Sequence, residues 1–104
     1  MIVKMTAIYK KWITKLGDFA AKGIITDHIG RFLNDSVGDV AFISRGIIEL
    51  RIHYGAGYRI YISKQQNEVI ILLCGGNKST QERDINMAKK LVKKLECNNE
   101  AISI

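Results

Sequence analysis

The sequence predicts a single α+β domain, and three features support this fold class. Apolar residues are spaced as in helices near both ends of the chain and as in strands in the middle. The 104 residues suit one domain, 1–104, and no proline, repeat or low-complexity tract marks a linker. Hydrophobic residues make up 47% and charged residues 25%, a composition that favours a packed globule over a disordered chain.

The first third of the chain is predicted to form a short strand and two helices. Ile2–Met5 is the candidate strand, and a helix follows from Thr6. Gly17-Asp18 separates it from a second helix that extends to Asn34. The two apolar stripes consist of Tyr9, Trp12, Ile13 and Leu16, and of Ala21, Ile24, Ile25, Ile29, Phe32 and Leu33. A pair of antiparallel helices is the simplest arrangement of these two segments.

The middle of the chain is predicted to form a meander of strands, which begins after Gly38-Asp39. Four segments are rich in Ile, Val, Tyr and Phe: Val40–Ser44, Gly46–Tyr54, Tyr58–Ser63 and Glu68–Cys74. The connections at Arg45-Gly46, Gly55-Ala56-Gly57 and 64–67 are short, so neighbouring strands are expected to be antiparallel. The apolar run from Val69 to Cys74 is typical of a central strand that is covered on both faces.

The end of the chain is predicted to form one more helix. Ser79-Thr80-Gln81-Glu82 matches a capping box at its start. The apolar stripe consists of Ile85, Ala88, Leu91, Val92 and Leu95, and the outer face carries Lys89, Lys90, Lys93 and Lys94. A lysine run of this kind usually marks a solvated face. The tail Asn98–Ile104 has no clear period, and Ala101–Ile104 either frays or adds an edge strand.

The charge balance indicates a polyanionic partner. The chain carries 16 Lys and Arg against 10 Asp and Glu, a net charge of +6. On a small domain this excess attracts nucleic acid or an acidic protein, although a generally basic surface is an equally open interpretation. The start of the chain lacks the apolar core of a secretory signal, and no run is long enough to span a membrane. The sequence therefore predicts a cytoplasmic protein without a membrane partner.

Cys74 and Cys97 are too far apart in the sequence to match a common metal-ligand spacing. Cys74 closes an apolar strand and is interpreted as a buried small hydrophobe. We expect neither a metal site nor a small-molecule cofactor in this chain.

Polar residues alternate with apolar ones in the two middle strands. Arg51 and His53 share one face of their strand with Glu49, and Arg59 shares a face of the next strand with Tyr61. If the strands pair through the turn at 55–57, these side chains converge. Arginine offers a planar fork of donors for phosphate oxygens, and tyrosine can stack on a base or transfer a proton. The alternative is a solvated sheet face on which Glu49 pairs with an arginine.

A second group of candidate residues joins the last strand to the final helix. Gly75-Gly76-Asn77-Lys78-Ser79 precedes a helix start, where free backbone N–H groups favour an anion, and Lys78 adds a positive charge. The glycines of an ATP- or GTP-binding loop are missing around Lys78, so a nucleotide-binding loop is not predicted. With no paired carboxylates or catalytic triad, the residue types fit cleavage of RNA by its own 2′-OH, a reaction for which no metal is obligatory.

Three segments carry a resemblance to a known family. They are Glu49-Leu50-Arg51, Tyr54-Gly55-Ala56-Gly57-Tyr58-Arg59-Ile60-Tyr61, and Leu72 to Ile85 with its pattern G-G-x-K-S-x-Q-x-x-D-I. From about Tyr9 to Leu95 the chain resembles the RelE/HigB-type toxins, and within them the phage-derived addiction module killer proteins. The resemblance implies two N-terminal helices packed on a four-stranded antiparallel sheet, with a short additional N-terminal strand and a C-terminal helix that closes the other side.

The resemblance also implies a function. Toxins of this type cleave mRNA, usually on the translating ribosome, and a cognate antitoxin, often a helix-turn-helix protein, neutralises them. The family's sheet arginine falls on Arg59 and its cation after the last strand on Lys78, while Arg51 matches a basic position on the preceding strand. The chain departs from RelE in carrying Glu49 near that enzyme's strand lysines. It also has no tyrosine in the closing helix, for which Tyr61 is the nearest candidate.

Together, the residue types and this resemblance imply a metal-independent, ribosome-dependent mRNA endonuclease toxin. The candidate catalytic residues are Arg59, Lys78 and Tyr61, and the candidate RNA-binding residues are Arg51, His53, Gln81 and Arg83. The expected partners are mRNA, the ribosome and an antitoxin. Two alternatives remain open on the same fold: a ParE-like toxin that inhibits gyrase, and a non-enzymatic RNA- or protein-binding relic.

Overall fold

The computed structural model describes residues 2–34, 38–65 and 68–97 and confirms an α+β fold. Within these ranges, five strands and three α-helices follow one another. They are β1 (Ile2–Met5), α1 (Ala7–Lys15), α2 (Phe19–Leu33), β2 (Asp39–Ser44), β3 (Ile47–Ile52), β4 (Tyr58–Gln65), β5 (Val69–Asn77) and α3 (Gln81–Cys97), with a 3-10 turn at Lys78–Thr80 before α3. The predicted tail, 98–104, and part of the turn at 64–67 lie outside the described residues.

The strands form one sheet in the order β1-β5-β4-β3-β2. The predicted antiparallel meander of β2 to β5 is confirmed, and β5 is an inner strand. The prediction of an antiparallel sheet is wrong at one edge, because β1 pairs with β5 in parallel and makes the sheet mixed. Two helices separate β1 from the meander, so no short turn dictates the direction of β1.

The sheet has an apolar core on each face. Helices α1 and α2 cover the face formed by Leu50, Ile52, Ile60 and Ile62, and Ile25 of α2 is fully buried there. Helix α3 covers the opposite face through Ala88, Leu91 and Val92, which pack with Ile47, Tyr61 and Leu73. Because successive strand residues point to opposite faces, both layers can draw their contacts from the same strands.

Side-chain caps define where the helices begin. Thr6 accepts a hydrogen bond from the N–H of Tyr9 and donates its own hydroxyl to the carbonyl of Leu73, which ties the start of α1 to β5. Asp18 accepts from the N–H of Ala21 at the start of α2. A short side chain that accepts from the second or third N–H of a helix is the usual N-cap.

Strand β5 ends three residues later than predicted, because it continues through Gly75 and Gly76 to Asn77. A Cβ atom on Gly75 would lie 2.5 Å from the ring of Trp12, and one on Gly76 would overlap the Asp84 carboxylate. The two glycines therefore let α1 approach β5 from one face and α3 from the other. The prediction that they lie in a loop is wrong, because both glycines pair with β4, although glycine usually interrupts a strand.

The residue that caps the start of the last helical segment lies two positions earlier than the predicted capping box. Asn77, rather than Ser79, is the cap: its side chain accepts from the N–H of Ser79, and the hydroxyl of Thr80 accepts from the N–H of Asn77. This cap begins the 3-10 turn, which leads directly into α3. An asparagine caps as well as a serine does, and the strand ends one residue before the turn begins.

Candidate functional site

The predicted polar face of β3 and β4 is organised around a buried carboxylate, Glu49, whose side chain is 0% exposed. Its Oε1 accepts from Arg51 Nε at 2.9 Å and from Arg59 Nη1 at 3.3 Å. Its Oε2 accepts from the Tyr61 hydroxyl at 2.8 Å and from Gln81 Nε2 at 3.0 Å. Four donors thus converge on one side chain.

Strand register brings four of these residues together. Glu49 lies directly opposite Tyr61, and Arg51 directly opposite Arg59, in the antiparallel pair of β3 and β4. Gln81 is the first residue of α3, and it reaches Glu49 because α3 crosses this face of the sheet. Two arginines that face each other across strands would repel one another. The shared carboxylate offsets that repulsion.

The environment keeps Glu49 charged and Tyr61 neutral. Burial alone would raise the pKa of Glu49, but hydrogen bonds from Gln81, Tyr61 and Arg51 outweigh it and hold the pKa below its ordinary value. Burial, together with the hydrogen bond to Glu49 and its negative charge, raises the pKa of Tyr61 well above its ordinary value. The phenol is therefore a fixed hydrogen-bond donor.

The two arginines retain donors that Glu49 does not use. Arg51 is 36% exposed and Arg59 is 13% exposed, so both reach the surface. Arg59 Nε is buried and has no hydrogen-bond partner within the described part of the chain. A guanidinium carries five N–H donors in a planar fork, and Glu49 accepts only one from Arg59. Arg51 also lies 3.7 Å from Asp39, whereas among the described residues Arg59 pairs with Glu49 alone, so the surface around Arg59 keeps unused guanidinium donors that suit a phosphate.

Lys78 lies at the same end of the sheet as the arginine pair. Arg59 pairs with Gly76, and Lys78 follows two residues later, at the start of the 3-10 turn, where it is exposed. Its backbone N–H is 3.4 Å from the carbonyl of Ala56 in the β3–β4 turn. The two predicted groups of candidate residues, the sheet arginines and the helix entrance, are therefore neighbours.

The remaining candidate residues occupy different surroundings. His53 is exposed and contacts Asp39 through Nε2 at 2.6 Å, beside Arg51 Nη1, which is 3.7 Å from the same carboxylate. The hydrogen bond from His53 lowers the pKa of Asp39. Arg83 is 77% exposed and lies 3.5 Å from Asp84. His53 and Arg83 are thus available on the rim of the site.

Two of the expected roles need correction. Tyr61 is 0% exposed, so it cannot stack on a base as predicted from its place on a polar strand face. Gln81 turns inward to Glu49 instead of outward to RNA. Both corrections have the same cause: α3 covers the inner part of the polar face, which leaves only the end near Arg59 and Lys78 open.

The alternative expectation that Glu49 pairs with an arginine is confirmed, but the carboxylate is buried instead of solvated. Its burial and the support that Asp84 provides were not predicted. Asp84 is buried, accepts from the Thr80 hydroxyl at 2.5 Å and packs on Gly76. A glutamate in an alternating strand and an aspartate in the first turn of a helix both look like ordinary exposed residues. In the sequence, the burial of Glu49 is indicated only by the polar residues predicted to share its face, Arg51, Arg59 and Tyr61.

Two further properties of the described residues bear on chemistry. Burial raises the pKa of the Cys74 thiol to about 12, and the nearby Asp84 adds to the effect, so the reactive thiolate is scarce at neutral pH. Among residues 2–34, 38–65 and 68–97, no group of three or more His, Cys, Asp or Glu side chains is arranged to hold a metal ion. No helix in those ranges has the length and hydrophobicity to cross a membrane.

Comparison with known proteins gives a relative of similar length. The chain is 43% identical over 93 residues to a protein of Haemophilus influenzae described only as an uncharacterized protein. The match covers 89% of this chain and 94% of that protein. No protein-family model matches the chain.

Proposed function

We propose that this chain, which belongs to the same family as the Haemophilus influenzae protein, is the toxin of a toxin–antitoxin pair and an mRNA endonuclease acting on the translating ribosome. The observation that carries the proposal is the pair of opposed arginines, Arg51 and Arg59, beside Lys78 and anchored by one buried carboxylate. The arrangement offers fixed cationic donors at a surface, as binding of an RNA phosphate requires.

The proposed reaction is attack of a ribose 2′-OH on the adjacent phosphate. The 2′-OH gives up its proton to solvent as the O2′–P bond forms, the P–O5′ bond breaks, and the departing O5′ takes up a proton, so the products carry a 2′,3′-cyclic phosphate and a 5′-OH. Charge builds up on the non-bridging phosphate oxygens in the transition state, and fixed donors stabilise it. Arg59 and Lys78 are the catalytic residues in this proposal, because both can touch those oxygens.

The other residues of the site bind or position. Arg51 and His53 bind the flanking RNA backbone from the rim, and Arg83 does so from the first turn of α3. Tyr61 and Gln81 act through Glu49, which they hold in place for the two arginines. The partners in this proposal are mRNA, the ribosome and a cognate antitoxin, for which a helix-turn-helix protein is the candidate.

The test is controlled expression of the chain in bacteria, with mapping of mRNA 5′ ends. We expect wild type to arrest growth and to create new 5′-OH ends within translated messages. Arg59→Ala removes one transition-state donor and should slow cleavage about a hundredfold or more. Arg31→Ala is the charge-matched control, because Arg31 is exposed on α2 and pairs with Asp27 away from the site; it should stay toxic.

The same experiment separates the rival functions. Growth arrest with intact messages and DNA damage would replace the nuclease proposal with gyrase inhibition. If the protein bound RNA but cleaved none, even with translating ribosomes present, its function would be RNA binding and not catalysis. Unchanged cleavage by Arg59→Ala would remove Arg59 from the catalytic assignment.

A further inference from the structure

A second cationic surface lies where the β2–β3 turn meets the second half of α3. A pocket of about 280 Å³ opens there. It is lined by Ser44, Arg45, Ile47, Lys89, Val92 and Lys93. Ile47 and Val92 are buried and form the floor, while Arg45, Lys89 and Lys93 are exposed and form the rim. We call this feature the α3 pocket.

The rim of the α3 pocket carries charge of one sign. None of its lining residues is acidic, and none of the ion pairs among the described side chains involves its three cations. Between residues 85 and 95 the sequence contains four lysines and no acidic residue. A helix face that only needs solvation can mix both signs, and mixed signs stabilise it. The lysine run alone is typical of a solvated face, but two of its members share a pocket with Arg45 from the β2–β3 turn, and this convergence of cations from two elements favours an anionic partner.

The α3 pocket is connected to the candidate site through the same two elements. Ile47 at the pocket and Arg51 at the site are four residues apart on β3, about 13 Å at 3.3 Å per residue. Helix α3 begins at Gln81, which bonds to Glu49, and its second half supplies Lys89 and Lys93. The two cationic surfaces thus lie along one side of the molecule.

We propose that the α3 pocket is a second phosphate-binding site, which holds the backbone of the same single-stranded RNA that the candidate site engages. The inference rests on the RNA partner of the proposed function, but not on cleavage. Lysine is a point charge that contacts phosphates without reading a base, so this site would add affinity rather than sequence preference. The apolar floor is buried and leaves little surface for the packed anchor residues that carry most of the binding energy of a protein interface.

The test measures binding of RNA that the protein cannot cleave. The ligands are fully 2′-O-methylated oligonucleotides of two lengths. One of roughly 4 nucleotides fills one site, and one of roughly 12 nucleotides is long enough to reach both sites. The variant is the triple change Arg45→Gln, Lys89→Gln and Lys93→Gln. The control is Lys10→Gln, Lys11→Gln and Lys15→Gln, which removes the same charge from exposed positions of α1 on the opposite side of the sheet.

We expect the α3 variant to bind the long oligonucleotide about tenfold more weakly than wild type and the short one equally well. Each lost phosphate contact should also reduce the slope of log affinity against log salt by about 0.7, so three contacts would reduce it by about 2. The α1 control should keep both the affinity and most of the slope.

Two results would overturn the inference. Equal losses in the α3 variant and the α1 control would show a bulk charge effect, and unchanged binding by the α3 variant would show that the pocket takes no RNA. Failure of the nuclease proposal is a separate outcome, because methylated RNA reports binding alone. If the protein cleaves no message but the α3 variant still binds only the long oligonucleotide more weakly, the second phosphate site is supported and the nuclease proposal is not.

Discussion

Glu49 is the residue on which the candidate site depends. A carboxylate withdrawn from water loses solvation, and only good hydrogen bonds and nearby cations offset that loss. Here two arginines, a phenol and an amide supply them. In return the carboxylate orients both guanidiniums, so that their unused donors reach the surface in a fixed direction. We infer that Glu49 positions Arg59 for the phosphate without touching the substrate.

This positioning role predicts that Glu49→Gln separates binding from cleavage. The amide keeps one acceptor oxygen but removes the charge, so Arg59 is less well oriented while the site becomes more positive. Cleavage of RNA should slow by about tenfold, and the Kd for methylated RNA should stay the same or fall. Glu68→Gln is the control, because Glu68 is exposed on the β4–β5 turn and its change adds the same charge. If Glu49→Gln weakened RNA binding and slowed cleavage by similar factors, Glu49 would not be a positioning residue.

The same carboxylate predicts how stability depends on pH. The folded-state pKa of Glu49 lies below its ordinary value of 4.5, so the unfolded chain binds more protons in that range. The stabilisation is fully present above the unfolded pKa and is lost as the pH falls through the folded pKa. Urea unfolding from about pH 6 down to about pH 3 should show the free energy of unfolding decreasing below about pH 4.5. The decrease should be smaller in Glu49→Gln, and an equal decrease would show that other carboxylates cause it.

At the scale of elements, the glycine pair in β5 determines how closely the layers pack. Gly75 faces Trp12 of α1, and Gly76 faces Asp84 of α3. The contact at Gly76 places the first turn of α3 against the sheet, where Gln81 can reach Glu49. The geometry of the site therefore depends on the absence of a side chain at position 76.

Gly76→Ala should consequently disrupt the start of α3. A Cβ atom would overlap the Asp84 carboxylate and crowd the Thr80 hydroxyl, so the turn must move away from β5. We expect a loss of about 3 kcal/mol of stability, measured by urea unfolding. Gly23→Ala is the matched control, since Gly23 lies inside α2 with open space around its Cβ position. It should gain up to about 1 kcal/mol from helix propensity, and a neutral Gly76→Ala would contradict the packing argument.

At the scale of the whole molecule, one sheet serves two cores. The core under α1 and α2 and the core under α3 use alternate residues of the same strands. Loss of packing on one face must therefore weaken the strands that the other face needs. The two layers are expected to unfold together, as in most small domains.

Leu73→Ala tests this coupling. Leu73 is fully buried in the core under α3, and its truncation should cost about 2–5 kcal/mol. Trp12, the only tryptophan, belongs to the opposite core and reports on it by fluorescence. The unfolding midpoint should fall equally when followed by Trp12 fluorescence and by far-UV circular dichroism. If the midpoint fell when followed by one of these two probes and not by the other, the two cores would unfold independently.

Much of this molecule could be predicted from the sequence alone because the deciding interactions are local. Apolar spacing placed the helices and the meander, and the alternation of strand residues put Glu49, Arg51, Arg59 and Tyr61 on one face. Short connections determined the direction of β2 to β5. Each of these predictions depends on residues close together along the chain.

The tertiary structure decided what those residues face. The parallel pairing of β1 with β5, the extension of β5 through two glycines and the burial of Tyr61 all depend on contacts between distant parts of the chain. The hydrogen bond from Gln81 to Glu49 spans 32 residues and covers a face that the alternation pattern alone marks as polar. The two-residue alternation along a strand shows which side chains share a face of the sheet. Only the packing of α3 on that face determines which of them remain in contact with water.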